Sequence, residues 1–229
     1  PILQNEARNG AGILLPPGAG LRISDSRIAE NAASGSGGGL FVETGGSVAA
    51  ARTLLAGNSA GAEGGGLYTR GLAALADSDI TANTARFGGG ILTAAEGGVL
   101  RLSDSTIAAN DAAEDGGGIA SRGESWLSGV TLSANAAGGL GGGIRATGPL
   151  TAVNTTLAGN TAREGGGLHG PATLIQGTVT GNAAETGAGL FAEGLLTLAN
   201  SLVAGNAAPA GPADIAGTAR TMRRASETG

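Results

Sequence analysis

Acidic residues recur at one position of a repeat, and they are the first candidates for chemistry. Asp25, Asp77 and Asp104 each stand six residues before an Asn, which is Asn31, Asn83 and Asn110 respectively. If successive repeats stack about 5 Å apart, Asp77 and Asp104 could couple their titrations or hold a calcium ion. We call the residues at one position of successive repeats a column. The other residues in this column are Arg52, Gly129, Asn154, Gln176 and Asn200. Because Asn, Gln and a basic residue share the column, the pattern favours a turn-capping role over a metal or catalytic site.

Two further features are candidates for chemical sites. Asp111, Glu114 and Asp115 share one turn, which we interpret as a solvated loop, with a weak cation site as the alternative. His169 is the only histidine, so a serine triad or a histidine metal site would depend on it. We expect it on the surface, without a carboxylate from its own repeat nearby. With no cysteine available as a nucleophile or ligand, the sequence predicts no enzyme, no cofactor and no metal site.

The elements that would position these residues repeat about every 25 residues. An Asn-x-Ala triplet recurs nine times at intervals of 22 to 27 residues. Eight or nine residues after each Asn comes Ile or Leu, and in eight of the nine cases Gly-Gly-Gly or Gly-Ala-Gly precedes it. The recurring asparagines are Asn5, Asn31, Asn58, Asn83, Asn110, Asn135, Asn160, Asn182 and Asn206. A fixed period of this length is typical of a solenoid.

Each repeat contains three short runs with strand-like alternation and no room for an uninterrupted helix. The pattern predicts an all-β, right-handed parallel β-helix of about eight coils, with three short strands in each coil. We assign residues 1–206 to the repeats. Residues 207–229 are predicted to be a closing-coil remnant, or a capping or disordered C-terminal tail.

The Asn column has a structural interpretation. Asn tolerates the backbone of tight turns, and stacked Asn amides form hydrogen-bonded ladders. A residue type repeated in every coil belongs to a scaffold, whereas a binding site usually interrupts a repeat. We therefore predict a ladder formed by Asn31, Asn58, Asn83, Asn110, Asn135, Asn160, Asn182 and Asn206.

The paired motifs Ile/Leu/Val-x-x-Asn and Gly-Gly-Gly-Ile/Leu resemble a known family. They are similar to the Phe-x-x-Asn and Gly-Gly-Ala-Ile/Leu/Val repeats of chlamydial polymorphic outer-membrane proteins, and to β-helix repeats of autotransporter passengers and other bacterial surface proteins. The resemblance covers roughly residues 5–215. This chain differs from the family pattern in having Ile, Leu or Val where the family has Phe, and Gly where the family has Ala. It implies a β-helix that is extracellular or on the bacterial cell surface.

One face of the predicted β-helix is a candidate for binding. The residue after the Ile or Leu should point away from the core, and two positions later the chain is outward again. These two columns supply the candidate binding residues Phe41, Tyr68, Arg70, Arg122, Arg145 and His169. Aromatic rings beside Arg could stack on glycans or anchor a protein partner. The alternative is that these side chains shield the strands or pack on a neighbouring part of a larger protein.

The sequence thus predicts a non-enzymatic structural or adhesive scaffold. The alternatives are a carbohydrate-active β-helix enzyme and, on the stacked threonines Thr106, Thr131, Thr156 and Thr178, an ice-binding solenoid. Because the first coil would present unpaired strand edges, we expect further coils, a flanking domain or another copy to stack on it. The net charge of −5 and the absence of an 18-residue apolar run argue against nucleic acid and a transmembrane helix.

Overall fold

A computed structural model describes residues 1–222, and the side chains of residues 1–217. The described residues form a right-handed parallel β-helix with no α-helix, as the repeat predicted. Every paired strand runs parallel to its neighbours, because each strand pairs with the equivalent strand of the next coil.

The strands are short, mostly two to five residues. The first half of the chain contains β1 (Ile2–Leu3), β2 (Glu6–Ala7), β3 (Ile13–Leu15), β4 (Gly20–Ser24), β5 (Arg27–Ala29), β6 (Ala32–Ala33), β7 (Leu40–Val42), β8 (Ser47–Ala51), β9 (Leu54–Ala56), β10 (Ser59–Ala60), β11 (Leu67–Thr69), β12 (Leu72–Ala76), β13 (Asp79–Thr81), β14 (Thr84–Ala85), β15 (Ile91–Thr93) and β16 (Val99–Ser103). The second half contains β17 (Thr106–Ala108), β18 (Asp111–Ala112), β19 (Ile119–Ser121), β20 (Glu124–Ser128), β21 (Thr131–Ser133), β22 (Ala136–Ala137), β23 (Ile144–Ala146), β24 (Leu150–Val153), β25 (Thr156–Ala158), β26 (Leu168–His169), β27 (Ala172–Ile175), β28 (Thr178–Thr180), β29 (Leu190–Ala199), β30 (Leu202–Ala204) and β31 (Ile215–Met222).

These strands stack into four walls. Wall 1 precedes the recurring Asn and consists of β1, β5, β9, β13, β17, β21, β25, β28 and β30. Wall 2 follows the Asn and consists of β2, β6, β10, β14, β18 and β22. Wall 3 follows the glycines and consists of β3, β7, β11, β15, β19, β23, β26 and the start of β29. Wall 4 consists of β4, β8, β12, β16, β20, β24, β27 and the end of β29, which joins it to wall 3.

We number the coils from the turn that precedes each wall-3 strand, so that coil 1 contains β3 and coil 8 contains the start of β29. Strands β1 and β2 belong to the preceding coil, and β31 pairs with β29 in the following one, so the chain makes about nine turns. Walls 1, 3 and 4 are the three predicted runs. Wall 2 is an additional run of only two residues, too short to show an alternating pattern in the sequence.

The interior is a stack of like side chains. In wall 1, Leu55, Ile80 and Ile107 are register partners on successive coils, each at most 1% exposed. Leu, Ile, Val and Ala fill the interior along the whole stack. The core therefore repeats the same apolar residue types from coil to coil.

The predicted Asn ladder is confirmed, and it is continuous. In each rung the backbone N–H and the Nδ2 of one Asn donate to Oδ1 of the Asn on the next coil, at 2.9–3.1 and 2.8–3.0 Å. Nδ2 also donates to a wall-1 carbonyl, as from Asn110 to Ile80 O at 2.9 Å. The asparagines from Asn31 to Asn182 are 0–1% exposed. Each amide thus ties the turn after wall 1 to both neighbouring coils.

Asp214 ends the ladder, which the sequence did not predict. Its Oδ1 accepts the backbone N–H of Asn206 at 3.2 Å and Nδ2 of Asn206 at 2.9 Å, as an Asn would. An ionised carboxylate accepts but cannot donate, which suits the last position of a ladder that donates in one direction. Asp214 belongs to the predicted C-terminal segment 207–229. In that segment β31 continues the solenoid, and residues 223–229 lie outside the described residues.

Candidate functional site

Wall 3 and the turn that covers it hold most of the predicted binding residues. The middle residue of each wall-3 strand faces away from the core, as predicted, but it is not open to solvent in every coil. Phe41 is 5% exposed and His169 is 3% exposed, so the expectation that these two side chains are surface groups is wrong.

The glycine turn explains this burial. The first glycine of the triplet has a positive φ, +64° at Gly165, which folds the preceding turn back over the outer side of the strand. A Cβ atom on Gly165 would lie 2.7 Å from His169 Cβ, and one on Gly37 would lie 2.8 Å from Phe41 Cβ. Only glycine permits both the backbone angle and this close approach. In coils 2 and 7 the turn therefore covers the outer side of the wall-3 strand and buries Phe41 and His169.

At the N-terminal part of wall 3, two aromatic rings and an ion pair form the first cluster. Phe41 and Tyr68 are register partners whose ring centroids lie 4.7 Å apart. Arg70 Nη1 lies 3.7 Å from Glu43 Oε2 beside them. Burial, with a smaller contribution from Glu63, raises the pKa of the Tyr68 phenol. Tyr68 is half-buried and remains a neutral hydroxyl on the rim of this cluster.

A second cluster spans coils 3 to 5 and includes residues that are not among the predicted binding residues. Arg122 Nη1 contacts Glu63 Oε1 at 2.5 Å across two coils. The guanidinium of Arg122 lies 5.0 Å from the ring centroid of Phe87, and that of Arg86 lies 5.2 Å away on the same ring. Glu63 and Phe87 are bridge partners in the covering turn. The signal that could have revealed them is their shared position directly before the glycines.

His169 is the centre of a third cluster, and its predicted isolation from carboxylates is wrong. Glu164 of its own coil approaches Nε2 to 3.5 Å, because the covering turn folds over the ring. Glu193 of the next coil lies 3.7 Å from Nδ1 and 2.8 Å from Arg145 Nη1. The ring of Phe191 stacks on His169, with centroids 4.6 Å apart and planes 5° apart.

The Arg145 contact sets the tautomer of this histidine, and burial together with the Arg145 charge lowers its pKa. Arg145 Nη1 donates to Nδ1 of His169, which requires an unprotonated Nδ1 and leaves the hydrogen on Nε2, facing Glu164. Burial and then the Arg145 charge lower the pKa of His169, while Glu193 and Glu164 oppose the shift. The Arg145 hydrogen bond also lowers the pKa of Glu193. The cluster therefore contains a neutral imidazole and an ionised Glu193.

We expect the pKa of His169, the single imidazole, to lie below 6.5 in the folded protein. NMR of its ring protons as a function of pH measures this pKa. Because the folded pKa is depressed, the unfolded chain binds the proton first as the pH falls. The stability from the neutral ring is therefore present above 6.5 and is lost as the pH falls through the folded pKa. Arg145→Ala should raise the midpoint, and a wild-type midpoint at or above 6.5 would contradict the cluster.

The column that contains Asp25, Asp77 and Asp104 lies at a turn of each coil, as predicted. Asp25, Asp77 and Asp104 all have φ between +46° and +49°, and the other residues of the column share the left-handed backbone. Arg52 forms a two-point ion pair with Asp25 at 2.7 and 2.8 Å, which lowers the pKa of Asp25. In the Asp111–Asp115 turn, Asp115 Oδ1 accepts the backbone N–H of Leu140 at 2.8 Å. Within residues 1–222 no group of three acidic or His residues is placed to hold a metal ion.

The four threonines proposed for ice binding are register neighbours on wall 1. Asp79 and Leu202 occupy the same column at its two ends, so the array is four coils long. Ice binding stays a prediction.

Comparisons with protein-family models, curated proteins and solved structures found no match. In residues 1–222 there is no helix that could cross a membrane.

Proposed function

We propose that this protein is a non-enzymatic extracellular or cell-surface scaffold that binds glycans or protein partners through wall 3. The observation that carries the proposal is the distribution of aromatic side chains. Four of the five aromatic residues of the chain, Phe41, Tyr68, Phe87 and Phe191, lie in wall 3 or its covering turn. The repeated Asn, Gly and aliphatic columns support the coils equally, whereas these residues vary from coil to coil.

The clusters divide into exposed and supporting groups. Tyr68, Arg70, Phe87 and Arg122 are partly exposed and close to carboxylates, so they can offer ring faces and guanidinium groups to a ligand. Phe41 and His169 are buried beneath the turn and would position their neighbours. Aromatic faces beside Arg bind sugar rings or protein side chains through stacking and cation–π contacts.

The proposed location depends on the paired Asn and glycine motifs. Their similarity to repeats of chlamydial polymorphic outer-membrane proteins and autotransporter passengers supports an extracellular or bacterial cell-surface protein. A long parallel stack held by a buried amide ladder also suits an extended surface scaffold.

We also propose that a partner coil stacks on the N-terminal end, from a flanking segment or another copy. Two features support this. Strands β1 and β2 pair on one side only within the described residues. In addition, Asn5 donates to Asn31, while the Asn5 Oδ1 has no donor among residues 1–217. A further Asn coil would supply that donor.

Binding through wall 3 is tested with the double variant Tyr68→Ala/Arg122→Gln. We expect at least tenfold weaker binding to any glycan or cell surface that the wild type recognises, because both contact groups are lost. The control is Leu202→Ala/Arg27→Gln, which removes an exposed apolar side chain and a guanidinium group from wall 1. Equal binding by the wild type and the wall-3 variant would refute the proposal. Both variants keep Phe41 and His169, so the buried support is unchanged.

A carbohydrate-active enzyme is the second candidate, on the observation that Glu164 and Glu193 both approach His169. Because the pKa of Glu193 is lowered, this carboxyl is suited to staying ionised rather than to donating a proton. The same glycans should be analysed for cleavage. Turnover that Glu164→Gln abolishes would favour the enzyme over the scaffold.

A further inference from the structure

Wall 4 exposes a surface that the proposed ligand face does not use. Its central outward column pairs one residue from each of the first six coils: Arg22, Ala49, Ala74, Arg101, Trp126 and Thr151. Trp126 is 51% exposed, the largest side chain on this wall. The small residues Ala49 and Ala74 leave a hollow of about 680 Å³ beside Arg101 and Trp126. A protrusion and a hollow thus share one face.

We propose that wall 4 is the interface of a homodimer, in which two copies pack wall 4 against wall 4. The two-fold axis lies in the interface, parallel to the strands and between coils 3 and 4. This rotation reverses the order of the coils and keeps each column facing itself. Coil 5 then faces coil 2 of the partner, coil 4 faces coil 3, and coil 6 faces coil 1.

The central column is complementary in size under this rotation. Trp126 comes over Ala49 of the partner, and Arg101 comes over Ala74 of the partner. Arg22 comes over Thr151 of the partner, so no two of the three large side chains meet. Facing sheets pack about 10 Å apart, a gap that a large side chain opposite alanine fills without overlap.

The outward residues at the two ends of the wall-4 strands form two flanking columns, and these agree with the same pairing. On one side Leu72, which is 37% exposed, faces Val99 of the partner, and Ser47 faces Glu124 of the partner. On the other side small residues face small residues, with Ala51 opposite Ser128 and Ala76 opposite Ser103. The first flanking column therefore gains an apolar contact and a polar pair, and no like charges oppose one another in either column.

The other regular two-fold arrangement fails on the same residues. An axis parallel to the solenoid would place each coil over the same coil of the partner. Trp126 would then meet Trp126, and Arg101 would meet Arg101. Within the described residues neither Arg22 nor Arg101 forms an ion pair, so facing guanidinium groups would be uncompensated. The antiparallel arrangement avoids both conflicts.

The area of the wall determines the expected affinity. Six coils at about 4.8 Å and strands of five residues at about 3.3 Å give roughly 480 Å² of projected wall for each copy. This is at the low end for specific interfaces, so a dissociation constant in the micromolar range is expected.

Sedimentation velocity from about 1 to 500 μM tests the proposal with the whole chain. The wild type should show a concentration-dependent monomer–dimer equilibrium. Trp126→Ala should weaken dimerisation at least tenfold, and Ala49→Arg, which fills the hollow, should abolish it. Thr131→Ala on wall 1 is the control and should leave it unchanged. A monomer throughout this range, or a dimer that survives Ala49→Arg, would overturn the proposal. Glycan binding by the monomeric protein through Trp126 would also overturn it.

The coil order is tested by distances between spin labels. Because the chain has no cysteine, one introduced Cys gives a purely intermolecular distance. Labels at Thr81→Cys in coil 3 should be separated along the axis by about 5 Å, and at Thr180→Cys in coil 7 by about 34 Å. Both sites are in one wall-1 column, so their lateral separations match. Equal distances at the two sites would refute the antiparallel arrangement.

Discussion

Replacing Asn110 with alanine is expected to lower the free energy of unfolding by about 3–5 kcal/mol. The variant removes the acceptor of the backbone N–H and the Nδ2 of Asn83, both 3.0 Å from Asn110 Oδ1. It also removes the donor to Ile80 O. These groups are buried, so each loses a hydrogen bond without gaining water. Urea denaturation followed by circular dichroism measures the change.

Two controls separate the ladder from a general loss of polar contacts. Thr106→Ala, on the outer face of the same coil, should change the free energy of unfolding by no more than about 0.5 kcal/mol. Asn5→Ala should cost about 1 kcal/mol or less, because Asn5 is exposed and its Oδ1 accepts from no described residue. A cost at Asn5 close to that at Asn110 would show that another coil covers the N-terminal end. A cost below 1 kcal/mol at Asn110 would contradict the ladder's role.

Gly117→Ala is expected to destabilise the protein by at least about 3 kcal/mol, or to prevent folding. A Cβ atom there would overlap the carbonyl oxygen of Ala136 and lie 2.5 Å from that of Gly142. The Gly142 oxygen already accepts the N–H of Gly118 at 3.0 Å, so it cannot move away without breaking that bond. The φ angle of Gly117 is ordinary, so the cost is steric and not conformational.

Gly20→Ala is the matched control for this prediction. A Cβ atom at Gly20 would have only Ser47 Oγ nearby, at 3.5 Å, and the backbone angle is again ordinary. The control should be neutral, or stabilising by about 0.4–1 kcal/mol, because alanine restricts the unfolded chain. Thermal unfolding of both variants, with yield of soluble protein as a second measure, tests the difference. A Gly117→Ala protein as stable as Gly20→Ala would contradict the close packing of the coils.

The repeated positions were predictable because each is constrained in the same way in every coil. Ile80 and Ile107 were expected to be vertical neighbours, and the structure places them in register. Asn110 was expected in a ladder and forms one. Wall 2 was not predicted, since a two-residue strand leaves no periodic signal.

The candidate site was less predictable because its contacts join different coils and different parts of a coil. Arg122 meets Glu63 across 59 residues, and no local pattern pairs them. His169 was expected on the surface because alternation shows only which side of a strand a residue faces. Whether that side meets water depends on the turn that covers it.

For this protein the sequence by itself determined the period, the parallel stacking, the inward columns and the Asn ladder. Each of these follows from a repeated local rule, which stacking of like on like then enforces. Tertiary structure alone decided which outward residues are covered, which charges pair between coils, and where the ladder ends at Asp214. The physical reason is that burial and ion pairing depend on distances between segments that are separated along the chain, and strand alternation does not specify those distances.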